Sequence, residues 1–355
     1  MSVKLIFVIF TLVSAVMTEL LFARKSINPY HRQRIYNVYS AMICILMFIV
    51  VAFRPFDISQ DTTEYVSDFV MGDFNQVNDY DNPGFAYLMV FISRVFQGSP
   101  EWLLVITSLF FPIAFYDFMK QIKTDCIGLA VVVLLTIALG FFDFILSGMK
   151  QTIAISIVLF SYRYLRSNSF WKFLFTIIFA SLFHSTALVA IIIYPLRRMK
   201  FGIVQLCILA AMFAVYKFVP TTIFELIEVS FLAEQYMQYG TDYESDINNS
   251  MLLILLTLIA AVVCFWKRLK GDEQNVVWMN ICMWAVGFQM FADVIGEFFR
   301  IALYFSLPLA ALSVKMLDNT PIQIRGLCRF LFVAVISYYI LFVQTGYFTD
   351  YKLIM

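Results

Sequence analysis

Apolar runs long enough to cross a lipid bilayer recur along this chain, and they constrain its fold more than any other feature. Residues 3–22, VKLIFVIFTLVSAVMTELLF, are the first of them. A helix rises about 1.5 Å per residue, so about 20 apolar residues cross the hydrocarbon core. In that medium only helices and closed barrels satisfy their own backbone hydrogen bonds. The runs predict an all-α polytopic membrane protein, a single integral membrane domain over residues 1–355, with about ten to twelve transmembrane helices. The spans fall at roughly 3–22, 37–53, 101–119, 127–146, 150–166, 202–219, 250–267, 275–293, 298–316 and 325–345. Composition agrees, with 62% of residues apolar and only 14% charged, far from the balance of a soluble globule. No A-x-A-like cleavage site stands between the first run and Arg24-Lys25, so that run is expected to stay as an anchor.

Two apolar regions do not read as simple spans. Residues 83–97 are short, carry Arg94 and end in the breaker GSP, which suits a helix lying at the interface. Residues 170–196 hold His184 and Ser185 midway, and read either as one long span or as two half-helices that enter and return. The positive-inside rule favours an outside amino terminus with 170–196 re-entrant. Most of the 25 basic residues, among them Lys120, Arg163, Arg197 and Arg329, then lie inside. The outer side receives two acidic loops, 54–84 and 220–249.

Several function classes drop out. Short basic inner loops leave little room for a nucleotide-binding domain, and no G-x-x-x-x-G-K-[ST] or G-x-G-x-x-G occurs. A net charge of +1 gives no field for nucleic acid. The six cysteines are scattered without a C-x-x-C, and His31 and His184 are the only histidines, so neither a metal nor another cofactor is expected.

Ionisable groups at membrane depth are costly and default to functional hypotheses. In the preferred threading Arg54 closes the second span, Lys150 and Gln151 open the fifth, and Asp293, Glu297 and Arg300 bracket a later outer turn. His184 lies at the tip of the re-entrant pair. Each has a structural alternative. Arg54 and Lys150 would snorkel to lipid phosphates, His184 would bond a neighbouring helix, and Glu297 with Arg300 would form an ion pair along one helical face. Asp57 and Asp68 read as solvated loop charges, and Glu19 and Asp143 as helix-end polar groups.

The order of these pieces resembles the EpsG family, within the Wzy-type polysaccharide polymerases. Arg54, Asp61 and Tyr65 form an R-x6-D-x3-Y signature. Asn82-Pro83-Gly84-Phe85 is similar to the family's acidic-Pro-Gly-aromatic element, Lys150-Gln151 with Ile153-Ala154 to its Arg-Gln-x-Ile-Ala, and FHSTAL at 183–188 to its F-H-x-S-A-L. Arg300 with Tyr304 resembles its late R-x3-Y. Ser59, Asn82, Lys150 and Thr186 depart from the family pattern, and Lys150 lacks the planar fork with which arginine grips phosphate.

The resemblance implies a GT-C-like glycosyltransferase that polymerises undecaprenyl-diphosphate-linked oligosaccharide repeat units on the outer face of the bacterial cytoplasmic membrane. Donor and acceptor are both lipid-linked, and the leaving lipid diphosphate implies inversion. Arg54, Lys150 and Arg300 are then the diphosphate-binding cations. Tyr65, Gln151, Glu297 and Tyr304 are substrate-binding residues, and Asp61 or His184 is the general base. A chain-length regulator stands as a further partner to be tested. The rival readings are a lipid-linked oligosaccharide flippase, which would show self-similar halves absent here, and an outer-face glycan ligase.

Overall fold

The computed structural model describes residues 2–23, 28–72, 82–218, 241–292 and 297–351, apart from the side chains at 23, 241–249, 297 and 350. Among these residues every regular element is a helix. Five helices are long and apolar enough to cross a membrane: Val3–Phe22, Pro29–Ala52, Pro100–Lys120, Phe298–Asp318 and Ile322–Val343. A sixth span arises if Cys126–Ala138 and Phe141–Ser147, bent by 60°, are taken together. The protein is therefore a polytopic helical membrane protein, as the apolar runs require. Each remaining sequence-predicted span also forms a helix, but a shorter or more polar one.

The chain divides into two compact units, Met1–Ile191 with Ile322–Met355, and Ile192–Pro321. The first contains α1 (Val3–Thr18), α2 (Pro29–Ala52), α3 (Gln60–Met71), α4 (Pro83–Val95), α5 (Pro100–Lys120), α6 (Cys126–Ala138), α7 (Phe141–Ser147), α8 (Met149–Arg166) and α9 (Phe170–Ser181). In the second lie α10 (Ile193–Leu196), α11 (Ile203–Phe218), α12 (Thr241–Cys264), α13 (Glu273–Met290), α14 (Glu297–Ser306) and α15 (Pro308–Asp318). The chain then re-enters the first unit with α16 (Ile322–Tyr338) and the short α17 (Tyr347–Asp350).

In the first unit α5 packs against both α2 and α8. Two links fix α5 and α8 as antiparallel. The Thr107 hydroxyl meets the Met149 sulfur at 3.7 Å near one end, and Arg163 pairs with Asp117 at 2.5 Å near the other. Phe111, Phe115 and Phe118 fill the α5 core face and are at most 1% exposed. The bent pair α6 and α7 turns at Gly140, whose φ of 82° lies in the left-handed region that glycine adopts without strain. α6 begins where the Asp125 carboxylate accepts the Gly128 N–H at 2.8 Å, an N-cap that satisfies one of four orphan donors. Val13 and Val335, more than half exposed, belong to helices whose outer faces suit lipid.

In the second unit α13 is the central helix, packed against α11, α12, α14 and α15. Its buried Asn280 donates to the Leu196 and Met199 carbonyls at 3.1 and 2.7 Å.

The two ambiguous regions take definite local form. Of residues 83–97, Pro83–Val95 form α4, followed by positive φ at Gln97 and Gly98 and then α5. Residues 170–196 break at 182–184: α9 ends, a 3-10 stretch runs Ser185–Ile192, and α10 closes the segment. The expected outer loop 54–84 contains a helix that the apolar pattern did not signal, α3, capped by Ser59 Oγ on the Thr62 N–H at 3.1 Å and ended by Gly72 at φ 65°. Of the expected loop 220–249, residues 220–240 lie outside the described residues, and α12 begins at Thr241.

Candidate functional site

Arg54 follows α2 after one residue and folds back under its last turn. The side chain is 2% exposed. Its Nη1 donates to the Val51 carbonyl at 2.8 Å and to Ser108 Oγ at 3.0 Å. Ser108 is eight residues along α5, so the guanidinium sits about 12 Å from the start of that helix. Arg54 Nε is buried without a hydrogen-bond partner among the described residues. A guanidinium so enclosed ordinarily faces a carboxylate, because removing a charge from water costs several kcal/mol. Here its hydrogen-bond partners are a carbonyl and a hydroxyl, both neutral.

Thr107, the neighbour of Ser108, touches Met149 in the first turn of α8, and the next residue is Lys150. Lys150 Nζ lies over the Tyr65 ring at 4.8 Å and near the Phe85 ring at 5.6 Å, and the two rings are 5.2 Å apart. An ammonium against aromatic faces is held electrostatically by the rings. Thr62 fixes α3 over this corner by donating to the Leu146 carbonyl at 3.1 Å. Asp61 precedes it, half-buried in the first turn of α3. It shares a helical face with Tyr65, four residues on. Gln151 is 2% exposed in the first turn of α8.

His184 joins the same end through α4. Gly84 N–H donates to the Leu182 carbonyl at 2.7 Å, and Asn82 Oδ1 accepts the Ser185 N–H at 3.2 Å. A Cβ on Gly84 would stand 2.8 Å from that carbonyl oxygen, so only glycine permits the approach. The His184 ring is 5% exposed, with Nδ1 at 2.6 Å from Thr186 Oγ1.

The polar signature of the first unit therefore converges. Arg54, Asp61, Tyr65, Phe85, Lys150, Gln151 and His184 come from five chain segments to one end, linked by the contacts above. In the second unit Arg300 is half-buried and Tyr304 is 2% exposed, one turn apart on α14. Asp293 and the Glu297 side chain lie outside the described residues.

A sequence model of the EpsG family matches residues 37–354. The chain belongs to the EpsG family. EpsG is a family of Wzy-type polymerases, so membership implies a polysaccharide polymerase, which is a glycosyltransferase. Neither curated proteins nor solved structures gave a match. The match embraces every candidate residue named above and runs through the chain's last turns.

Along α5, α8 and α9 this EpsG protein also carries an apolar cavity of about 690 Å³, lined by Leu109, Phe110, Ile157, Phe160, Phe175 and Phe179. It adjoins the candidate site, since the Phe110 and Phe183 rings are 6.3 Å apart and Phe183 precedes His184. Among the described residues, no three His, Cys, Asp or Glu side chains group as metal ligands. Two site residues escaped sequence reasoning: Ser108 and Thr62. Each is a single hydroxyl whose partner is more than fifty residues away in the chain, so no local pattern marks it.

Proposed function

We propose that this EpsG-family chain polymerises undecaprenyl-diphosphate-linked oligosaccharide repeat units, with its site at the Arg54 end of the first unit. That end would face outward from the bacterial cytoplasmic membrane. The observation that carries the reading is Arg54 itself, a buried cation with neutral hydrogen-bond partners and an unused Nε donor. Such a group favours an anion, and a guanidinium binds two diphosphate oxygens at once. Lys150 supplies a second charge. The apolar cavity beside Phe183 offers the lipid chain an exit of matching chemistry.

In this reaction the acceptor sugar hydroxyl attacks the anomeric carbon of the donor. The bond from that carbon to the diphosphate oxygen breaks, and the lipid diphosphate departs with its electron pair. Direct displacement inverts the anomeric carbon. Cations aimed at the leaving oxygens stabilise charge as it develops, and a base takes the hydroxyl proton. Asp61 suits the base better than His184, because it is half-buried while His184 is enclosed and bonded to Thr186. Tyr65 and Gln151 orient the saccharide. Arg300 for the diphosphate, and Tyr304 and Glu297 for the saccharide, rest on the family resemblance alone, as does the GT-C-like architecture.

Deleting the gene in its host tests the reading. Loss of a polymerase leaves single capped repeat units at the surface, whereas loss of a flippase leaves none. Orientation is tested in a cysteine-free background with an impermeant thiol reagent. Glu101→Cys at the start of α5 should react in intact cells, and Ser167→Cys after α8 only in opened ones; the reverse pattern defeats outer-face action. Co-purification from the host checks for a chain-length regulator.

A further inference from the structure

The last described residues of the chain return to Arg54. Beyond the π-helical turn Tyr339–Val343, residues 344–351 form a strap fastened at several points. Lys4, 3% exposed, donates through Nζ to the Gln344 carbonyl at 2.7 Å and to Thr349 Oγ1 at 3.0 Å. Asp143, inside α7, accepts the Phe348 N–H at 2.8 Å and Gln344 Nε2 at 3.3 Å. Gly346 passes so close to this carboxylate that a Cβ would collide with it, and its φ of 137° already disfavours any side chain. Phe348 is 1% exposed, with its ring 4.8 Å from that of Phe142.

These fastenings deliver Tyr351, 4% exposed, whose hydroxyl donates to the Val50 carbonyl at 2.6 Å. Val50 and Val51 lie in the last turn of α2, where carbonyls have no partner within the helix. Arg54 takes the Val51 carbonyl and Tyr351 the one before it. The phenol also lies within electrostatic reach of the guanidinium. From its place in FFDFIL, Asp143 is expected to be a helix-end polar group. It does lie in the first turn of α7, and it is also the anchor of this strap, a half-buried carboxylate beside apolar helices that takes two hydrogen bonds, from Gln344 and Phe348.

We propose that the carboxy-terminal strap is part of the site and that Tyr351 is a positioning residue for Arg54. Holding the Val50 carbonyl fixes the last turn of α2, which leaves the Val51 carbonyl to orient the guanidinium. The proposal rests on the reading of Arg54 as a diphosphate ligand.

The test uses full-length protein in nanodiscs. Phenylglyoxal labelling of Arg54, read by peptide mass spectrometry, should be slow in the native protein. It should rise about tenfold in Tyr351→Phe and in Gly346→Ala as the turn opens locally. With a lipid-diphosphate oligosaccharide as substrate, Tyr351→Phe should lower kcat/KM about tenfold, since small misplacements of a charge-stabilising group are costly. In an Arg54→Lys background the same substitution should cost nothing further, the signature of coupled residues. Unchanged labelling in both variants, or an equal loss in both backgrounds, overturns the proposal while leaving Arg54 in its role. Full polymerisation by Arg54→Ala removes that role and the proposal with it.

Discussion

The two ends of the first unit treat positive charge in opposite ways. At one end Arg163 meets Asp117 at 2.5 Å and Arg329 meets Asp125 at 2.6 Å, so cations from α8 and α16 are matched by carboxylates on neighbouring segments. Asp125 serves twice, because its other oxygen caps α6. At the opposite end Arg54 is more deeply buried than either, yet its partners are a carbonyl and a hydroxyl. Matched pairs stitch helices together. A buried cation with neutral partners and an unused donor, as at Arg54, fits the anion-binding role proposed above, whereas Lys4, also bonded to a carbonyl and a hydroxyl, fastens the strap.

Substitutions at the two ends should therefore differ in kind. Arg54→Ala should lower polymer formation by at least about a hundredfold, the scale on which a single stabilising donor acts, while the protein still inserts. Near-normal chain lengths in that variant would erase the distinction between the ends. Gly84→Ala should cost about 1–3 kcal/mol through the clash with the Leu182 carbonyl. Thermal unfolding in detergent measures it, and an unshifted midpoint would mean that α4 does not depend on this approach. Lys150→Ala should reduce turnover about tenfold, with Lys150→Arg well above it because charge is kept. Equal activity for the two variants would show that charge at this position is irrelevant. Smallest of all, Asp117→Ala should change stability by about 1 kcal/mol or less, as for other partly exposed ion pairs, and leave polymer length untouched. Shortened polymer there would give the matched end a catalytic part.

Much of this was legible from residue order. Apolar runs of spanning length located the helices because burial of the backbone in lipid permits little else. The break near His184 was legible because polar residues interrupt an apolar run. α3 was not, since its helix rests on the Ser59 cap and on Thr62 bonding to the Leu146 carbonyl, neither of which alters hydropathy. Arg54 stood out by type and depth, whereas Ser108 and Tyr351 did not, being common residues whose partners lie far along the chain.

By itself the sequence determined that the chain is a helical membrane protein of the EpsG kind, because span length, charge sidedness and motif order are properties of local residue order. Only the tertiary structure decided which charges meet a carboxylate and which meet neutral groups. Pairing depends on contacts between segments as much as 204 residues apart, such as Asp125 with Arg329, and no local pattern encodes them. The same packing brought Tyr351 back to the last turn of α2 beside Arg54.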